Sequence, residues 1–456
     1  MSELRDDGRE MMLDEARIEA VLAAIGAEDG PTLVALLQPL HPADIADLLE
    51  QIGAGERAVF LRLAVGEIDG DVLSEVSEGI REEVIAALPP EVVAEAVRDL
   101  HTDDVVDILE DLEAPAQGMI LDALEAVDRI AVEQAMSYPE ESAGRLMQRE
   151  VVVAPEHWTV GQAIDYLREA DHLPDQFYHI VLVDPRMKPL GYVTLGRVLS
   201  AQRDAALKDI QEDSFRVLEA DMAEDDVAYV FNQYHLISCP VVDVAGRLVG
   251  VITIDDAMNV LDDEHEEDML RLAGVGDETS LSDNAFQTVR QRLPWLVVNL
   301  FTASLSAIVI SQFVQTITAL VALAALMPIV ASTGGIAGTQ SLAVAVRALA
   351  TRDLTRANAR RVVLRELGAG VLNGIGLALI LGVAATLIFG NPQLGVVLGI
   401  AMIVNQIVAA LGGVLVPLTL ERFGLDPALA SGTFVTTLTD VMGFFAFLGL
   451  ATVLLV

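Results

Sequence analysis

The chain has 456 residues and is 53% hydrophobic, yet it carries 68 acidic against 28 basic side chains, a formal net charge of −40. Such greasiness and acidity do not sit together in one uniform domain, so two or more domains are expected at this length. Excess negative charge excludes nucleic acid as a partner, because phosphates need Lys and Arg, and it favours cations instead.

The charge is segregated along the chain. From Asn284 onward there are nine Arg, no Lys and five acids, which leaves 19 basic and 63 acidic residues before that point. The first part therefore reads as an acidic soluble assembly and the second as an apolar, slightly basic one. The opening "MSELRDDGREMMLDEARIEA" has no apolar core of signal-peptide length, so the acidic part is expected in the cytoplasm. The single Cys239 excludes an intramolecular disulfide and fits a small buried residue in a reducing compartment.

Residues 1–135 contain two similar stretches 60 apart, "LHPADIADLLEQI" from Leu40 and "LHTDDVVDILEDL" from Leu100. Their apolar residues recur at i, i+3, i+4 and i+7 with the acids outward, which predicts stacked short helices in a superhelical all-α domain. A second repeat follows over 136–200 and 201–260. "HIVLVDPRMKPLGYVTLGRVL" and "SCPVVDVAGRLVGVITIDDAM" align at a constant offset of 59, pairing Asp184 with Asp243, Gly191 with Gly250 and Thr194 with Thr253. Each half has a β-rich run, a turn at Asp, a second β-rich run ending in Thr, and a helix start. This resembles a tandem α/β CBS pair, a regulatory module, and such a resemblance implies ATP or another adenine nucleotide as a possible ligand of its cleft.

Residues 261–290 read as an acidic connecting helix. At helical spacing Asp263 and Glu267 share a face, as do Glu264 and Asp268, and like charges that close destabilise a helix unless a cation offsets them. Residues 291–456 then hold five runs long enough to cross a bilayer: Leu293–Phe313, Ile317–Arg347, Leu364–Phe389, Leu394–Leu420 and Ala428–Val456. The Arg-rich stretch "RALATRDLTRANARRVVLRE" between the second and third spans is expected on the cytoplasmic side, which with five spans puts the N-terminal part inside and the C-terminus outside. Small and polar residues are dense in these spans, and the amides of Gln340, Asn373 and Asn405 are candidate pore-lining groups, since each needs a partner or water within the membrane.

The last span has one charged residue, Asp440. From a span start at Ala428 it would lie about 18 Å deep, where an ionised Asp costs roughly 3 kcal/mol on insertion scales. No Lys or Arg within the spans is available to pair with it. Thr436 one turn before and Gly443 nearly one turn after share its face, so a hydroxyl, a main-chain carbonyl and an open surface are expected beside the carboxylate. That pattern suggests a cation site.

Taken together, "LHPADIADLLE", the join "SYPEESAGRLM", the paired repeats, the acidic connecting helix, "MPIVASTGGIAGTQ" and "LDPALASGTFVTTLTDVMGF" resemble the MgtE family of magnesium channels and transporters over nearly the whole chain. The resemblance implies a multidomain protein of helical N domain, CBS pair, connecting (plug) helix and five-span membrane domain. It also implies a homodimer in the inner membrane whose final spans build one Mg²⁺ pore. Asp440 looks like the family's pore aspartate, with the Thr436 carbonyl beside it. Asp103, Asp107, Asp225, Asp256, Glu264, Glu267, Asp268 and Asp426 match the acids that hold regulatory Mg²⁺ and close the pore. Mg²⁺ dehydrates reluctantly and prefers few carboxylates plus waters, which suits one Asp from each of two subunits. Three departures stand out: His235 for a common Asp, Asn259 for an expected acid, and Ile336 for a frequent Asn.

Two other readings remain open from the sequence. One is a transporter or proton-coupled exchanger for Co²⁺, Mn²⁺ or Ca²⁺, and the other is a membrane-anchored CBS sensor. An enzyme is not expected, because no nucleophile, base and orienting group stand in a recognisable arrangement.

Overall fold

The computed structural model describes residues 13–170, 173, 174, 176–275, 285–355, 357–428 and 431–456. It divides into two compact units, Met1–Glu264 and His265–Val456.

Up to Ala135 the first unit is built of short helices only, from Glu15–Gly26 to Ala126–Ala135. The repeated motif gives matching helices, Pro42–Gln51 and Thr102–Glu110, each with a histidine at its N-cap, His41 and His101. One apolar core runs through the stack. Two buried arginines, which periodicity does not flag, tie the layers together. Arg57 donates to the carbonyls of Leu49 and Ile52 at 2.9 and 3.1 Å, and Arg81 donates to that of Val76 at 2.9 Å. Each satisfies carbonyls left unpaired at a helix C-terminus.

The second repeat forms two three-stranded sheets of one design. Val153–Pro155 runs parallel to His179–Val183, which pairs antiparallel with Pro189–Thr194; Leu218–Glu219, Ser238–Val242 and Leu248–Thr253 repeat this order. The registers also repeat, with His179 opposite Thr194 and Ser238 opposite Thr253, and both sheets shift register at equivalent places. His179 and Ser238, the equivalent strand starts, are hydrogen-bonded to each other. The buried Cys239 lies in the core of the second half, where burial pushes its thiol up to about 12.

The connecting helix differs from the expected 261–290. It starts within the second repeat and runs as Ile254–Leu272, while residues 276–284 lie outside the described set. Its start is set by Thr253, whose hydroxyl donates to Asp256 at 2.7 Å, and by the acids of the first turn. No breaker follows until Gly274, whose φ of 72° closes the helix in a left-handed cap, with Val275 N–H donating to the Leu270 carbonyl.

Among the described residues five helices are long and apolar enough to cross a membrane: Ala285–Ser311, Ala322–Ala350, Ala359–Phe389, Pro392–Arg422 and Gly432–Leu454. The second starts later than Ile317. A separate turn, Val314–Ala319, precedes it and is pinned to the last span by the Thr316 and Thr452 hydroxyls, 2.7 Å apart. Composition alone could not locate that break, since both sides are apolar. The fourth span is the most enclosed, packed by the second, third and fifth.

Asn405 on the fourth span is wholly buried and donates to the Val330 carbonyl of the second at 2.8 Å. A Cβ on Gly334 would collide with the Asn405 amide. Gly334→Leu is therefore expected to destabilise the membrane unit by about 1–3 kcal/mol through overpacking, read as a lower melting midpoint of the detergent-solubilised protein.

Candidate functional site

The first unit brings acids from three distant segments to one place. Asp103 and Asp104 occupy the first turn of Thr102–Glu110, where the helix N-terminus favours negative charge. His101, Asp103 and Asp104 each offer a ligand atom, all within 4.8 Å of one another. Asp256 and Asp255 from the connecting helix and Glu150 from the start of the first CBS half add their charge to this cluster. Glu150 is oriented by Thr102, whose hydroxyl donates to it at 2.9 Å.

Burial dominates the electrostatics. Asp103 is only 8% exposed; desolvation first, then Asp256 and Asp104, pushes its carboxyl well above the usual range. Burial likewise raises Asp104 to about 6 and Asp256 to about 7. Converging buried carboxylates ask for a proton or a cation. Two acids and an imidazole with converging ligand atoms, and three more acids that add their charge, suit a divalent ion held through oxygen ligands and water.

A pH dependence follows with a definite sign. With folded values raised above the unfolded value near 4, the metal-free contribution of Asp104 and Asp256 is greatest below that value and is lost as pH rises through about 6–7. Mg²⁺ is expected to raise the melting midpoint strongly at about pH 8 and little at about pH 5.5. Its apparent affinity should fall about tenfold between about pH 8 and 6, as protons compete for one group near 7.

The predicted acids do not all meet in this cluster. Asp107 lies one turn beyond Asp103 and adds its charge to Asp104, but its carboxylate pairs with the buried Arg81 at 2.9 Å. Asp225 is exposed, and it is its neighbour Glu224 that joins Glu141, Glu110, Glu264 and Asp263; burial and those charges raise Glu224 to about 7. Asn259 is exposed on the connecting helix. His235 is also exposed and sits in the left-handed region, φ 53°, at a helix C-terminus. Asn, Asp and His are the residues enriched there, so the exchange of an expected Asp for His keeps the backbone geometry.

In the second unit Glu267, Asp268 and Asp426 converge, and a cation of the chain itself lies between them. Arg271 pairs with both Glu267 and Asp426. Burial, then Asp426, raises the Asp268 carboxyl. Leu272 packs against Leu342, Val346, Ala428 and Val435, so the end of the connecting helix is seated on the second span and the start of the last. Arg271 was not among the sequence candidates, whose regulatory set held acids only.

Asp440 is half-buried in Ser431–Leu454, nine residues after the helix start, and forms no ion pair among the described residues. It therefore lies nearer to about 14 Å from that end than the expected 18 Å or so, because the helix starts at Ser431 rather than Ala428. Thr436 turns its hydroxyl into its own helix, donating to the Gly432 and Thr433 carbonyls at 2.9 and 3.1 Å. The Thr436 carbonyl accepts the buried Thr439 hydroxyl at 2.8 Å. Gly443 is not an open surface: it is buried, and a Cβ there would come within 3.0 Å of the Asn405 amide. Asn405 thus lies inside the subunit, whereas Gln340, Asn373 and Ile336 are exposed on their spans.

Between the CBS halves a narrow cleft of about 20 Å³ is lined by Gln148, Glu150, Phe177, His179, Tyr192 and Ser238 among others. Its aromatic rings and hydroxyls are of the kind that contact a base and ribose, but in this conformation the cleft has room for little more than a water molecule. Among the described residues its lining has no Lys or Arg.

Comparison with known proteins covers most of the chain. Residues 40–141 match the MgtE intracellular N domain, 143–204 and 207–263 match CBS domains, and 327–450 match MgtE, described as a divalent cation transporter. The magnesium transporter MgtE of Thermus thermophilus is 33% identical over 448 residues, 97% of this chain and 99% of that protein. The magnesium transporter MgtE of Bacillus subtilis is 27% identical over 419 residues, 91% of this chain and 92% of that protein. Among solved structures, the cytosolic domain of the Mg²⁺ channel MgtE in complex with ATP is 29% identical, covering 53% of this chain and 99% of that one at a TM-score of 0.49.

Proposed function

The chain belongs to the MgtE family, and from that premise we propose that it is a homodimeric, inner-membrane Mg²⁺ channel or transporter, closed by the same ion on its cytoplasmic, N-terminal side. The observation that carries the proposal is Asp440: one carboxylate inside a span, without an ion-pair partner among the described residues. Two copies on a twofold axis give two charges for one divalent ion and leave room for its water shell. A site of that kind attracts the ion without stripping it, which favours a conducting path over tight storage.

Closure follows from the acidic clusters. At low Mg²⁺ the buried acids around Asp103 and Asp256 and those around Glu224 and Glu264 repel one another. At high Mg²⁺ the ions bridge them, and the equilibrium moves to the compact state. Arg271 supplies a permanent charge of the same sign as the ion beside Glu267 and Asp426, so part of the seating of the connecting helix is independent of Mg²⁺. The rings and hydroxyls lining the CBS cleft suit the nucleoside part of an adenine nucleotide, which the cleft must widen to admit.

The test is flux from liposomes containing the purified protein, with Mg²⁺ fixed low or high on the side of the soluble part. Mg²⁺ entry that shuts off as that concentration rises is the expected result. Flux of Co²⁺ or Mn²⁺ with no Mg²⁺ flux would replace the ion, and no flux at all would favour a sensor.

A further inference from the structure

Five arginines gather at one end of the membrane unit, and the conduction and gating proposed above do not use them. Arg347 lies three residues before the end of the second span, Arg360 and Arg361 are the second and third residues of the third, Arg365 follows one turn later, and Arg422 ends the fourth. All five are exposed, and none forms an ion pair with a described carboxylate. The three span ends pack together around Ala345, Leu354 and Val414, so the arginines are collected at one end of the bundle. The connection between the second and third spans is built, with Leu354 only 3% exposed beneath it. Asn358 donates to the Asp353 carbonyl at 2.7 Å and accepts from Thr355 N–H at 2.8 Å.

Length places this collar. The second, third and fourth spans have 29, 31 and 31 residues, about 43–46 Å at 1.5 Å per residue, against a hydrocarbon core of about 30 Å. Roughly 7 Å of helix, or four to five residues, therefore projects into the headgroup layer at each end. Arg347, Arg360, Arg361 and Arg422 fall within that margin, and Arg365 reaches it by snorkelling. Arg361 and Arg365 share a helix face at i and i+4, and every basic residue of this half is Arg, none Lys. The guanidinium fork binds phosphate oxygens in a bidentate manner, which an ammonium does not.

We infer that this collar is a binding site for anionic phospholipid headgroups, whose phosphates lie at that level and continue from the apolar surface of the same spans. Juxtamembrane basic clusters gain affinity for anionic lipid with each added residue. Inorganic phosphate offers the same chemistry without the acyl chains, and the acidic soluble part of the chain offers carboxylates.

The full chain, purified in detergent, would be titrated with phosphatidylglycerol or phosphatidylcholine and read by native mass spectrometry and melting midpoint. Retention of phosphatidylglycerol over phosphatidylcholine is expected, with roughly a tenfold or greater loss of that preference in Arg360→Gln/Arg361→Gln/Arg365→Gln. Arg290→Gln/Arg292→Gln, on the first span and outside the collar, should lower it less than the triple variant does. Should the triple variant fail to fold, the corresponding Arg→Lys variant keeps the charge and is expected to lose part of the preference. Equal retention of the two lipids, an unchanged triple variant, or full displacement of lipid by millimolar inorganic phosphate would each overturn the assignment. None of these readouts depends on Mg²⁺ flux.

Discussion

Asp440→Asn is expected to lower Mg²⁺ flux in liposomes by about 10- to 100-fold while the protein still folds and inserts. The amide keeps the shape of the carboxylate and removes its charge. A charge-assisted hydrogen bond is worth about 1.5–3 kcal/mol, and each 1.4 kcal/mol or so is a factor of ten. In a homodimer one substitution removes both charges, so the loss should lie toward the upper end. Thr436→Ala is the informative companion. The Thr436 hydroxyl donates to carbonyls of its own helix, so removing it leaves the main-chain carbonyl in place and should change flux less than about threefold. Unchanged flux in Asp440→Asn would remove Asp440 from the pore. A large loss in Thr436→Ala would mean that the hydroxyl, and not the carbonyl, meets the ion.

Much of the architecture is legible because repeats carry more information than single elements. The offset of 59 between the CBS halves predicts equivalent strands, and it reappears in the register as His179 opposite Thr194 and Ser238 opposite Thr253. The spans were legible from apolar length, but their breaks were not. Nothing in "VQTITALVALAAL" distinguishes a turn from a continuing helix, and a hydroxyl contact between Thr316 and Thr452, far apart in sequence, decides it. Likewise, the connecting helix joins the second CBS half without a boundary, because no Gly or Pro intervenes between Ile254 and Leu272.

The site was only partly legible, for a physical reason. Charge in a sequence does not say which acid is buried or what faces it. Asp103 and Asp107 look alike at i and i+4, yet one enters a carboxylate cluster and the other pairs with Arg81. Glu224 and Asp225 are adjacent, and only the first faces other acids. One signal could have found the cluster earlier. In the helical repeat Pro42 and Ala43 of the first copy become Thr102 and Asp103 in the second. Those two exchanges install the hydroxyl that orients Glu150 and the buried carboxylate itself.

That comparison supplies the second large effect. Asp103→Ala restores the residue found in the first copy, where the equivalent helix folds with Ala43 in its first turn. The variant should therefore be no less stable than the parent without metal, and more stable once the pH is high enough to ionise Asp103, because a buried charge among like charges is gone. In flux assays it should need about tenfold more Mg²⁺, or beyond, on the side of the soluble part to close. Losing one charged ligand removes about 1.5–3 kcal/mol from an ion-bridged closed state. Asp107→Asn has the opposite profile: the buried Arg81 loses one of its carboxylates, so stability falls, while the closing concentration shifts by less than about threefold. If both variants shift closure equally, the site is a diffuse acidic surface and Asp103 has no special place in it. If Asp103→Ala closes at the parental concentration, the regulatory ion is held elsewhere, and the cluster around Glu224 and Glu264 becomes the one to remove. The two substitutions separate sensing from folding because the helix places them one turn apart, one carboxylate buried among other acids and its more exposed neighbour paired with a cation.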